Sequence, residues 1–188
     1  MALQNHLLKP DADGYYTVEL SRLGRPDLSG RTRLPLTDTQ VATLNTRPLR
    51  GEAGHPKPDF TIPADLWVQR CLDISENHVS HLLKDITVQT VPDEEGLDGK
   101  VQLITAKMKP SGPASKFLQH KLDCSQPVYF GMRSMVNERV GEPSVITHVI
   151  TWDFIGTNPY PVPSGLPPAP HSQGLVGVYD DSGHPLKE

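Results

Sequence analysis

Cysteine is nearly absent from this 188-residue chain, which has only Cys71 and Cys124. Two cysteines cannot build a disulfide framework, and neither belongs to a CxxC pair. A reducing compartment is therefore the expectation. Aromatic residues are also scarce, at 6%. No stretch approaches the about 18 consecutive apolar residues of a membrane span. The opening residues, MALQNHLLKPDADG, lack a basic stretch followed by an apolar run, so no signal peptide is expected. Neither GxGxxG nor a GxxxxGK phosphate loop occurs, which leaves a nucleotide site without support. Basic charge is in deficit, with 18 Lys and Arg against 22 Asp and Glu and a net charge of −4. That argues against a general nucleic-acid coat or a basic membrane-surface domain.

Proline is abundant. The chain has 19 Pro and 15 Gly, so long uninterrupted helices should be few. The length suits one domain with a sizeable core.

Short elements dominate the pattern. Residues 15–20 (YYTVEL) read as a strand. The Gly- and Pro-rich stretch after them reads as a loop or arm, and residues 37–46 as a short helix capped by Thr37 or Asp38. Pro63 suits the first turn of a helix through Leu66, Val68 and Cys71, with Thr61 as its cap. Residues 77–89 are ambiguous. Val79, Leu82 and Leu83 share a helical face, Ile86 and Val88 alternate, and one strand throughout is the other reading. Asp98-Gly99 favours a hairpin into a strand over residues 100–108. A helix is expected at 114–122, with Phe117, Leu118 and Leu122 on one face. Strands follow at 127–132 and 144–154. In the latter, Ile146, His148, Ile150 and Trp152 should share a face. From Asn158 the proline-rich NPYPVPSGLPPAP reads as a linker, with a last strand candidate at 175–179. No internal repeat is present. The fold class that follows is α+β, a mainly antiparallel sheet or barrel with flanking helices.

Three sets of residues could carry chemistry. The eight histidines are His6, His55, His78, His81, His120, His148, His171 and His184. His78 and His81 form HxxH, half of a metal site, but no HExxH supplies the rest. One buried and one surface histidine is the better reading. Ser134 follows the short apolar strand FGMR, where a rigid backbone could position a nucleophile, although no GxSxG elbow is present. Asp153 sits between Trp152 and Phe154. A carboxylate there is partly buried and needs a partner, which a histidine, an arginine or a backbone amide would supply.

Four segments in order then resemble the prohead maturation proteases of tailed bacteriophages, in particular the T-even-type branch. GEAGHP (51–56) is similar to the family's G-E-L-x-H-P, NHVSHLLKDI (77–86) to R-V-S-H-x-I, and TWDFIGTNP (151–159) to T-x-D-F-V-x-x-P-S. FGMRS (130–134) falls where the family has L-G-x-S-S-R-G. The likeness covers residues 48–160.

The resemblance implies a serine endopeptidase with His55 as general base, Ser134 as nucleophile and Asp153 orienting the base. It gives Arg133 an oxyanion or supporting role and makes His81 a support or a rival base. Met132 or Arg133 replaces the family's first serine, and Met135-Val136 its Arg-Gly, so the oxyanion arrangement departs from the family.

The implied fold is a compact antiparallel β-barrel ringed by short helices, like the herpesvirus maturation proteases. Residues 1–160 would form the protease domain and 161–188 a proline-rich linker and tail. Substrates would be phage scaffold, core and major capsid proteins, and the enzyme itself. Cleavage after Glu would make Glu188, at the end of LKE, a self-cleavage site. The setting would be the immature head in the host cytoplasm, with a homo-oligomer compatible and no cofactor, metal, nucleic acid or membrane required.

The main alternative is a non-enzymatic scaffold or capsid-associated protein. A cysteine hydrolase using Cys124 and a metal hydrolase rank below it.

Overall fold

The computed structural model describes residues 8–27, 30–93 and 99–156. In chain order the elements are β1 (Tyr16–Leu23), α1 (Asp38–Leu44), β2 (Leu49–Glu52), α2 (Ala64–Leu72), β3 (Val79–Pro92), β4 (Lys100–Pro110), α3 (Ser115–Asp123), β5 (Tyr129–Asn137) and β6 (Val145–Ile155). A single 3-10 turn, Glu76–His78, leads into β3. The class is α+β, as the sequence implies.

Two antiparallel sheets form. One has the order β1-β4-β3-β2, and the other is the pair β5-β6. The expected closed barrel is not found among the described residues. The sheets approach where β2 meets β6, but only one parallel bridge, Ala53 with Phe154, joins them there. The reason is local. Gly54 has φ +85° and turns the chain out of the strand direction, and Pro56 and Pro58 lack the amides that a longer ladder needs.

Apolar faces of both sheets make one core with Val18, Leu20, Leu83, Ile104, Met108 and Trp152 at its centre. Each such side chain contributes about 1.5–3 kcal/mol when removed from water. The Trp152 indole N–H donates to Ser21 Oγ at 2.7 Å, which satisfies its polar atom across the two sheets.

Several expectations change in detail. Of the ambiguous residues 77–89, the first two close the 3-10 turn and the rest belong to the strand β3. Asp85, with φ 51°, stands within a register shift between Lys84 and Thr87. The shift puts Ile86 on the buried side three residues after Leu83, while Val79, His81 and Leu83 before it alternate as a strand and Leu82 is only half-buried. The expected arm after residue 20 is tethered. β1 runs on to Leu23, and Leu36 is buried, with its backbone exchanging bonds with the Gln102 side chain.

Thr37 caps α1 in a capping box with Gln40. Thr61 does not cap α2, because its hydroxyl and amide turn back to Asp59. Trp67 and Cys71 are the buried residues of α2, and Leu118 and Leu122 those of α3, while Phe117 is 57% exposed. In β6, register shifts around Ile150 and Thr147 break simple alternation. Val149 is therefore buried in the core and His148 exposed. The short β2 has no counterpart in the sequence reading. The strand expected at 175–179, the linker and Glu188 lie outside the described residues.

Candidate active site

Asp153 faces Gly131 across the β5-β6 pair. With no side chain at residue 131, the imidazole of His55 fits over that strand. A Cβ at Gly131 would stand 2.5 Å from His55 Nε2, closer than van der Waals contact allows. His55 Nδ1 lies 2.7 Å from Asp153 Oδ2. An ionised carboxylate only accepts, so Nδ1 carries the proton and donates it. That leaves Nε2 as the unprotonated nitrogen of the neutral ring. Among the described residues Nε2 has no hydrogen-bond partner.

Asp153 is fully buried and receives four hydrogen bonds. Besides His55, Arg133 Nε donates to Oδ2 and Arg133 Nη2 to Oδ1, each at 2.8 Å. The Glu52 amide donates to Oδ1 at 2.9 Å. The sequence leaves three kinds of partner open, and the fold supplies all three. Burial pushes the Asp153 carboxyl up. The His55 hydrogen bond and charge, followed by those of Arg133, outweigh burial and hold it below the usual carboxylate value. The Asp153 carboxylate is thus an anion at neutral pH.

Arg133 is turned toward this carboxylate. Its Nη1 donates to the Asp73 carbonyl at the end of α2 at 3.0 Å, and Nη2 lies 3.2 Å from Glu52 Oε2. A guanidinium held this way supports Asp153 rather than facing a substrate carbonyl. Glu52 also accepts from Arg70 Nη2 at 2.6 Å and from the Ser75 amide at 2.6 Å. Neither Glu52 nor Arg70 stands out as a site residue in the sequence. The signal for Glu52 is its place in GEAGHP, where it falls on the glutamate of the family block three positions before His55.

Ser134 is 7% exposed and lies opposite Val149 of the core. On β5, residues 131 and 133 face His55 and Asp153, and Ser134 follows them. It lines one pocket with His55, Pro56, Cys71 and Arg133. Among the described residues no hydrogen bond joins Ser134 to His55.

His81 is wholly buried elsewhere. Its Nε2–H donates to the Trp152 carbonyl at 3.0 Å, and its Nδ1 accepts from Ser80 Oγ at 2.8 Å. Burial lowers its pKa to about 4. It packs against Gly51, where a Cβ would lie 2.3 Å from the ring. His78 is exposed, so the HxxH pair is one buried and one surface histidine. Among the described residues no three His, Cys, Asp or Glu side chains gather as metal ligands. Cys71 lines the pocket, and burial pushes its thiol up, toward the neutral form. Cys124 is exposed beside His120, away from that pocket.

The Peptidase S80 family profile matches residues 3–160 of the chain. The capsid maturation protease of Pseudomonas phage phiKZ is 28% identical over 164 residues. That match takes in 80% of this chain and 60% of the phiKZ protein, so the chain spans about three-fifths of this relative's length. No solved structure matches.

Proposed function

The chain belongs to the Peptidase S80 family, and from that premise we propose that it is a serine endopeptidase of phage head maturation. Its substrates are scaffold, core and capsid proteins and the enzyme itself, cut after Glu. The observation that carries the reading is the 2.7 Å hydrogen bond from His55 to the buried Asp153, beside a pocket whose wall includes Ser134. A phage capsid maturation protease among its relatives supports the substrate class.

In this mechanism His55 Nε2 takes the proton of Ser134 Oγ as the oxygen attacks a peptide carbonyl. It then returns the proton to the leaving amine. Asp153 holds the tautomer that leaves Nε2 free and stabilises the imidazolium. Arg133 is occupied by Asp153, Glu52 and a backbone carbonyl, so backbone amides beside Ser134 serve as oxyanion donors. Attack brings Oγ to within about 2.6–3.2 Å of Nε2, a contact that commonly tightens only with substrate bound.

Purified full chain should cleave a peptide with Glu before the cut and an apolar residue two positions upstream of that Glu. Ser134→Ala should lose on the order of 10⁴-fold or more in kcat. Undiminished cleavage by Ser134→Ala, read by product mass, would remove this nucleophile.

A second reading, a non-enzymatic head component that keeps the His–Asp pair, draws on the missing Ser134–His55 hydrogen bond. It requires that neither the full chain nor Ser134→Ala cleaves head proteins.

A further inference from the structure

Asp153 Oδ2 has two donors, His55 Nδ1 at 2.7 Å and Arg133 Nε at 2.8 Å. A guanidinium so close offsets the field of the carboxylate at the imidazole. Left alone, it would weaken the support that Asp153 gives to a charged His55. Glu52 stands on the far side of the same guanidinium, with its side chain 1% exposed. Arg70 closes the group against Glu52 and is 30% exposed. The cluster thus holds two carboxylates and two guanidiniums and has no net charge.

We propose that Glu52 is a positioning residue for His55, which balances the charge of Arg133 so that Asp153 remains an effective partner of the imidazole. The inference rests on the reading of His55 as the base, and it gives β2 and α2 a part in setting that base. Charged and titratable groups from four elements form one connected group around the His55–Asp153 pair. They are Asp153 from β6, Arg133 from β5, Glu52 from β2, and Arg70 and the neutral Cys71 from α2. On its own loop, Lys57 and Asp59 are exposed. Removing the negative charge of Glu52 leaves the cluster at +1 and disfavours imidazolium. Removing the positive charge of Arg70 leaves it at −1 and favours imidazolium. A packing role alone gives no such opposite signs.

The test is an NMR titration of the His55 ring in the full chain with ¹³C-labelled histidine, assigned by His55→Gln. Glu52→Gln keeps the shape of the side chain and should lower the midpoint by about one pH unit. Arg70→Gln should raise it, by less because of its solvent exposure. The double variant should return close to the wild-type midpoint. If Glu52→Gln does not fold by circular dichroism, Arg70→Gln decides alone, with an upward shift as the supporting result. An unchanged midpoint, or shifts of the same sign, overturns the proposal. The titration uses no substrate. Midpoints that move as stated, in a protein that cleaves nothing, keep the charge balance and remove the serine-protease reading.

Discussion

His55 and Asp153 meet through side chains 98 residues apart in sequence. Both were legible because each lies in a short block of the family resemblance. The orientation of Ser134 was not legible in the same way. It depends on which face of β5 looks at Asp153, and a register shift between Arg133 and Ser134 breaks the simple alternation of strand faces at that step. Arg133 takes the face that looks at Asp153, so the residue beside the expected nucleophile turns out to be the carboxylate's partner. Glu52 lies in the same block as His55, but its role was not legible because its partners, Arg70, Ser75 and Arg133, come from distant segments. Two outcomes follow at this scale. Gly131→Ala should push the His55 ring off β5, because a methyl group there meets Nε2 at 2.5 Å. Peptide cleavage should fall by about 100-fold or more, as for other small misplacements of catalytic groups. Thermal unfolding should show whether the fold survives, and unaltered activity would place the ring elsewhere. Asp153→Asn should cost about 10⁴-fold in kcat by favouring the wrong tautomer, measured on protein that still melts cooperatively.

Elements were readable where local signals agree. The Thr37 cap of α1 and the hairpin β3-β4 are examples. They blur where a bulge resets the alternation, as at Asp85 in β3 and around Thr147 and Ile150 in β6. The four-residue β2 gave no pattern at all, yet it carries Glu52 and leads directly to His55. His81 binds three strands together, since it sits on β3, packs on Gly51 of β2 and donates to Trp152 of β6. Its pKa near 4 makes that junction sensitive to acid. The unfolded chain takes up a proton at this residue below about pH 6.5, and the folded chain only near pH 4. Stability should therefore drain away as pH falls through that window, by up to roughly 3 kcal/mol, and level off below it. Urea unfolding between those limits should show the slope in wild type. His81→Gln should be less stable at neutral pH but lack most of the slope. An equal slope in both proteins would assign it to other groups.

At the scale of the whole molecule, the site lies on the seam between two sheets. The four-stranded sheet brings Glu52 and the loop with His55, and the β5-β6 pair brings Asp153, Arg133 and Ser134. The sequence implies the α+β class and the antiparallel pairing, whereas closure into a barrel depends on edges that no local pattern encodes. Such a seam explains how a short chain assembles charged groups without exposing its core. In the proposed mechanism Ser134 is a nucleophile activated by His55. An activity-based organophosphonate probe tests it most directly, with the labelled residue mapped by peptide mass. The full chain should acquire one covalent adduct, on Ser134, and His55→Ala should be labelled far more slowly. No adduct on Ser134 in the folded wild-type chain, or labelling at equal rates without His55, would rule out that role.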